Sequence, residues 1–254
     1  MFTQQQGQGL QRSVGLLRSI LMYYGIPLRN RALARFYAQF VRSGDLCFDV
    51  GAHVGNRLWA FSKLGARVVA LEPHPDCMRL LGRWYGRHAH VELVELAVGA
   101  EPGTRTLFIS ERTPTVSTIS AEWIAAVKAT PGFTRVRWDR TIPVRVVTLD
   151  ELIACYGVPV FCKIDVEGAE FDVLRGLSYP LKTLSFEYIP AAVNVALACI
   201  GHLDALGRYE YNWSPSELPR LRSSVWLGPG QMADLLRRMP VGGWPGDVYA
   251  RRLH

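Results

Sequence analysis

Leu46-Cys47-Phe48-Asp49-Val50-Gly51-Ala52-His53-Val54-Gly55-Asn56 is the stretch that decides the fold. Its first five residues, entered through Gly44-Asp45, are mostly apolar and read as a buried parallel strand. A glycine-rich turn follows, then a helix expected over 56–64 and stopped by Gly65. Glycines at a strand-to-helix turn let the backbone bend tightly and approach a ligand, and the helix start adds oriented N–H groups. The spacing is D-x-G-x-x-x-G rather than the G-x-G-x-x-G of dinucleotide sites. An acid just before the first glycine suits a cationic ammonium better than a pyrophosphate.

Outward from this turn the pattern repeats. Strands are expected at 67–71 and 91–98 around a helix at 75–85, and the alternation resumes with strand 144–148, helix 149–156, strand 160–166, helix 169–177, strand 181–188 and helix 191–206. Residues 208–213 and 247–250 close the chain as strands, with a Pro/Gly-rich stretch between them. Strands alternating with helices imply βαβ units, right-handed crossovers and a mostly parallel α/β sheet flanked by helices. The segment 99–140 breaks the rhythm, with one strand at 104–109, a Ser/Thr-rich loop and a helix at 122–129; it reads as an insertion placed to cover a substrate site. Upstream, residues 10–24 carry Leu10, Val14, Leu17, Ile20, Leu21 and Tyr24 at helical spacing, and a second helix is expected over 31–41. Residues 1–9 are Gln/Gly-rich and polar, unlike a signal peptide, and are expected to lie outside the ordered fold. The reading is therefore a tail and helical cap over 1–43 and a single α/β domain over 44–254, with the two cap helices a candidate homodimer contact.

The chain has 254 residues, enough for a core that needs no disulfide or metal. No apolar run reaches the length of a membrane span. The formal charge of +7 attracts anionic partners, but the basic residues are scattered, and nothing resembles a nucleic-acid tail or an interleaved basic–aromatic stripe. The five cysteines form no CxxC pair and read as small buried hydrophobes, which fits a reducing, cytoplasmic setting.

Three further groups carry chemistry. Glu72, at the tip of the second strand, can accept both hydroxyls of a ribose. Lys163, Asp165 and Glu167 lie in or beside an otherwise apolar strand, where charges are costly unless paired or functional, and period-two alternation puts all three on one face. Glu187 ends the following strand and can join Asp165 and Glu167 in a carboxylate cluster. Such a cluster suits a hard cation, or an acid/base pair; the acid/base reading is adopted and no metal ligand is assigned. His53 and His74 sit at ligand-facing turns and can relay protons near neutral pH.

Taken in order, Phe48 to Gly55, Leu71-Glu72-Pro73-His74-Pro75, Thr148-Leu149-Asp150, Lys163-Ile164-Asp165-Val166-Glu167-Gly168-Ala169-Glu170 and Phe186-Glu187 resemble the FkbM-type methyltransferases. Asp247-Val248-Tyr249-Ala250-Arg251 is similar to their closing strand, so the resemblance spans about 44–251. It implies a Rossmann-like class I methyltransferase fold, S-adenosyl-L-methionine as donor, and O-methylation of a hydroxylated small molecule such as a sugar, polyketide or other secondary metabolite. It implies that Asp49, Gly51 and Gly55 hold the methionyl end and Glu72 the ribose, with His53, Asn56 and Pro73 in the same cofactor-binding set. His53 stands where many relatives have Asn. Asp165 or Glu167 is expected to accept the hydroxyl proton, with Lys163 or His53 tuning it, and Ser117 and Glu187 to meet the substrate; Thr118 and Trp123 share the insertion. Other readings of the same residues are an NAD-dependent oxidoreductase, against which the glycine spacing argues, a non-catalytic methyltransferase-like scaffold, and an RNA or protein acceptor.

Overall fold

The computed structural model describes residues 2–216 and 218–253. Its elements run α1 (Phe2–Tyr24), α2 (Arg29–Tyr37), β1 (Leu46–Val50), α3 (Asn56–Lys63), β2 (Arg67–Leu71), α4 (Pro75–Tyr85), β3 (Val91–Val94), β4 (Ala97–Val98), β5 (Gly103–Ile109), α5 (Ala121–Val127), β6 (Arg140–Val147), α6 (Leu149–Tyr156), β7 (Phe161–Ile164), α7 (Glu170–Arg175), β8 (Thr183–Tyr188), α8 (Val193–Leu206), β9 (Tyr209–Pro215), α9 (Pro229–Arg237) and β10 (Gly246–Arg252). Short 3-10 turns cover Pro114–Val116 and Pro190–Ala192.

The main sheet has seven strands in the order β3-β2-β1-β7-β8-β10-β9. The first five run parallel, whereas β10 is antiparallel to both β8 and β9. The expected Rossmann-like, mostly parallel sheet is present. Chain order reverses between β1 and β7, and a sheet of this type opens its ligand crevice at the carboxyl ends of the strands flanking that point. Because strands buried on both faces must be apolar throughout, β1 alternates between two cores. Phe48 and Val50 join Leu71, Ile164 and Phe186 in one; Cys47 joins Val68, Ala70, Phe161 and Tyr249 in the other, which α2 and α3 cover.

Local signals account for the helix starts. Thr148 caps α6 reciprocally with Glu151, and the His74 ring accepts the Asp76 N–H ahead of Pro75 at the start of α4. Both helices have the bounds expected from sequence.

Four expectations need correction. The polar segment 1–9 is helical from Phe2, in keeping with the helix propensity of its glutamines. The single strand expected over 91–98 is two: the chain bends after Val94, where the Leu96 N–H donates to the Val94 carbonyl, and Ala97–Val98 pairs with β6 in a second sheet of order β4-β6-β5. The Pro/Gly-rich stretch before β10 contains α9, for which Pro229 is a helix-starting residue rather than a breaker. Of the five cysteines, Cys155 is exposed on α6, and only the other four are buried.

The cap helices are joined to the sheet by aromatic packing. Phe161 of β7 is fully buried, with ring centroids 5.4 Å from Tyr37, 5.4 Å from Phe40 and 5.8 Å from Phe61. Phe161→Ala is expected to lower the unfolding free energy by about 3–5 kcal/mol, measured as a fall in the urea midpoint at unchanged slope.

Candidate active site

The carboxyl ends of β1, β2 and β7 open into a cleft of about 840 Å³ lined on the sheet side by Asp49, Gly51, Glu72, Lys163, Asp165 and Glu167. The turn after β1 needs three left-handed residues in five, Gly51 (φ 85°), His53 (φ 48°) and Gly55 (φ 81°). It is laced to the end of β2 by the Gly51 and Ala52 N–H groups, which donate to the Leu71 carbonyl at 2.9 and 3.0 Å. A side chain at Gly51 would overlap the Asp165 carbonyl oxygen, so only glycine lets the turn lie against the end of β7.

Glu72 braces the same turn. Its two oxygens accept the His53 and His74 backbone N–H groups, each at 2.7 Å. Asp49 is 1% exposed, and its Oδ2 has no hydrogen-bond partner among the described residues. Burial pushes the Asp49 carboxyl up to about 7 against the opposing pull of Arg57 and Lys163. Burial likewise raises Glu72 to about 7, opposed by its two backbone donors. The His53 ring faces the cleft edge-on to Tyr23 at 5.7 Å. Burial lowers its pKa to about 3, so the imidazole stays neutral, and both ring nitrogens lack partners among the described residues. Asn56 and Pro73 complete this side; the Asn56 Oδ1 accepts the Arg57 N–H at 3.0 Å.

On the facing side a buried ion chain crosses the sheet. Lys163 is fully buried, with Nζ 2.6 Å from Asp247 Oδ1 and 3.1 Å from Asp165 Oδ2. The other Asp247 oxygen meets Arg57 at 3.5 Å and accepts the Tyr249 hydroxyl at 3.3 Å. Lys163 is held well above its usual range: desolvation works against the charge, but Asp165 and Asp247 outweigh it. Asp165, Glu167 and Glu187 have carboxylate oxygens within 4.8 Å of one another. Burial and then the charges of Glu167 and Asp165 push Glu187 well above the usual carboxylate range; its Oε2 has no partner among the described residues.

The sequence placed these acids together by strand alternation, and the structure does so differently. β7 ends at Ile164, and Glu167 is left-handed (φ 54°) in a turn that continues through Gly168 (φ 90°). Glu170 closes that turn, its Oε1 accepting the Val166 and Gly168 N–H groups at 3.1 and 3.2 Å. A side chain on Gly168 would overlap Trp123, so α5 of the insertion sits directly on the turn. Trp123 is therefore buried beneath the turn and is not among the residues lining the cleft. Ser117 and Thr118 of the insertion do line it. Glu187 joins the acid cluster but is not part of the cleft wall itself.

A family model for the methyltransferase FkbM domain matches residues 49–194, more than half of the chain. The chain belongs to that family. It is similar to the hexuronic acid methyltransferase AglP of Haloferax volcanii, 27% identical over 154 residues that cover 60% of this chain. The chain spans 58% of the length of that relative. Among solved structures it is similar to the precorrin-6y C5,15-methyltransferase of Geobacter metallireducens, with 11% identity, a TM-score of 0.47 and 87% of each chain covered. It is also similar to the fibrillarin of Aeropyrum pernix, with 12% identity, a TM-score of 0.44, and 83% of this chain and 68% of that one covered.

The FkbM-type motifs account for most of the cleft, but sequence reasoning missed four contributors. Asp247 was visible only as the start of a closing strand, Arg57 as one more basic residue in α3, Tyr23 as a neighbour of the apolar stripe, and Glu170 as the end of a motif. Asp247→Ala removes the nearer carboxylate from a fully buried ammonium and is expected to destabilise the fold by about 3–5 kcal/mol, checked by chemical denaturation.

Proposed function

We propose that this chain is an S-adenosyl-L-methionine-dependent methyltransferase that methylates a hydroxyl of a small, sugar-like acceptor. The observation that carries the reading is the pair of buried acids, Asp49 and Glu72, at the tips of adjacent strands, with the Asp49 Oδ2 unpartnered among the described residues beside a turn whose Gly51 admits no side chain. A buried carboxylate lacking a partner is costly, and a cationic ligand group offsets that cost. The residues fit the donor in kind: Asp49, Gly51, His53, Gly55 and Asn56 would hold its methionyl end, and Glu72 with Pro73 its ribose. AglP acts on a hexuronic acid, which supports a sugar-type acceptor.

When bound, S-adenosyl-L-methionine supplies an electrophilic methyl group on a sulfonium. The work left to the protein is alignment, exclusion of water and removal of the hydroxyl proton. Lys163 fixes Asp165 through Oδ2, which orients Oδ1 as the acceptor of that proton. Glu167 is the second candidate acceptor. Glu187 sits against Asp165 and Glu167 and acts on the acceptor site through those neighbouring carboxylates. Ser117 contacts the acceptor from the insertion, and Tyr23, Leu107 and Pro114 keep the opposite wall largely apolar. Lys163 keeps its proton between two carboxylates, so its part is positioning rather than relay.

Three outcomes test the reading. S-Adenosylhomocysteine, which keeps the ammonium and ribose, binds one-to-one, and Asp49→Asn or Glu72→Ala weakens it by about tenfold or more in calorimetry. Its affinity rises between pH 6 and pH 8 by about tenfold for each of the two raised carboxyls that ionises, and Asp49→Asn removes one of those two steps. With a hexuronic acid acceptor and isotopically labelled donor, Asp165→Asn lowers turnover by about a hundredfold or more, leaving S-adenosylhomocysteine affinity nearly unchanged. Wild-type turnover in Asp165→Asn reassigns the base to Glu167; absence of S-adenosylhomocysteine binding to folded protein removes the donor assignment.

A further inference from the structure

The loop that roofs the transfer cleft has a second cleft on its other side. Pro114, Thr115 and Ser117 face the first, whereas Ser110, Arg112 and Thr113 line the second, which spans about 1810 Å³. Its remaining walls come from α1, through Arg18, and from the segment after α5, through Arg135 and Arg137. Four guanidiniums thus line one cleft, and the one carboxylate in its lining, Asp139, already accepts the Glu111 N–H at 3.1 Å.

Neighbouring arginines behave differently. Arg12 and Arg140 clamp the buried Glu111 at 2.9 and 3.2 Å, fastening α1 to the insertion. Arg18, Arg112, Arg135 and Arg137 make no ion pair or hydrogen bond among the described residues. Basic side chains without acidic partners repel one another, and in a concave, electropositive site an anion relieves the repulsion. The planar fork of arginine matches phosphate oxygens two at a time. Among the described residues the cleft lining holds no aromatic side chain on which a nucleic-acid base could stack.

We propose that this cleft binds the diphosphate of the acceptor, so that the methylated sugar is presented on a diphosphate carrier. Four guanidiniums against one engaged carboxylate match the multiple negative charge of a diphosphate. The assignment deepens the methyl-transfer reading and rests on it, because the two clefts share the 110–118 loop.

The test is calorimetric titration of the full chain with inorganic pyrophosphate, in wild type and in an Arg135→Gln/Arg137→Gln variant, with S-adenosylhomocysteine titrated in parallel. Pyrophosphate binds the wild type with an affinity that falls as salt is added, and the variant loses at least about tenfold while keeping S-adenosylhomocysteine affinity. Uridine diphosphate and farnesyl diphosphate, as competitors, separate a nucleotide carrier from a lipid carrier by which displaces pyrophosphate better. The proposal is overturned if wild type ignores pyrophosphate, if the variant binds it equally, if free glucuronate competes as well as pyrophosphate, or if single-stranded RNA binds and pyrophosphate cannot displace it. Loss of S-adenosylhomocysteine binding in a protein that still holds pyrophosphate through these arginines sinks the methyl-transfer reading and leaves the anion site standing.

Discussion

A lysine with no exposure to water needs its charge answered from within the sheet, and most of the site is arranged around that requirement. Lys163 rises from β7 and reaches past β8 to Asp247 on β10. The β8 residue paired with Lys163 is Ser185, a small side chain that leaves the ammonium room to cross; on β10 Ser185 pairs with Tyr249, two residues along from Asp247. Asp165 takes the near side of the ammonium and Arg57 the far side of Asp247, so helix α3 and strands β7 and β10 share one chain of charges. Asp49, on the neighbouring strand, feels both cations of that chain. Buried ion pairs of this kind are weak contributors to net stability but strong fixers of geometry, because any displaced member is left uncompensated.

The two halves of the cleft are coupled by backbone rather than by side chains. Gly51 abuts the Asp165 carbonyl, and the Asp165 N–H donates to Val50 at 2.9 Å. The 165–170 turn is closed by Glu170 and packed against buried Trp123. The insertion and the Glu167 turn are thus in direct contact. α1 closes the other side: the Tyr24 hydroxyl donates to the Val54 carbonyl at 3.1 Å while Tyr23 meets His53.

What could be read from sequence was what local chemistry encodes. β1, β2, α4 and α6 were legible because short apolar runs, glycines, Pro75 and the Thr148–Glu151 pair mark their ends within a few residues. Asp49, Glu72 and the Lys163–Glu170 motif were legible because charged residues in apolar strands stand out. The bend after Val94 carries no glycine or proline, and its cause is pairing with β6, some fifty residues on. Asp247 is 84 residues from Lys163, a distance at which spacing is uninformative. The left-handed conformation of Glu167 was hidden by period-two reasoning, which assumes that a strand continues until something breaks it.

Glu72 serves two structures at once. The oxygens expected to meet a ribose are the same oxygens that tether the backbone at His53 and His74. Ligand affinity at this position and the local order of the glycine turn are thus thermodynamically linked, since whatever occupies Glu72 also reports on how firmly the turn is held. A ligand drawn to this carboxylate would rigidify the walls around it, and the cleft before binding would be a looser object than the cleft after. The acid at the tip of β2 is in that sense a hinge pin as much as a hand.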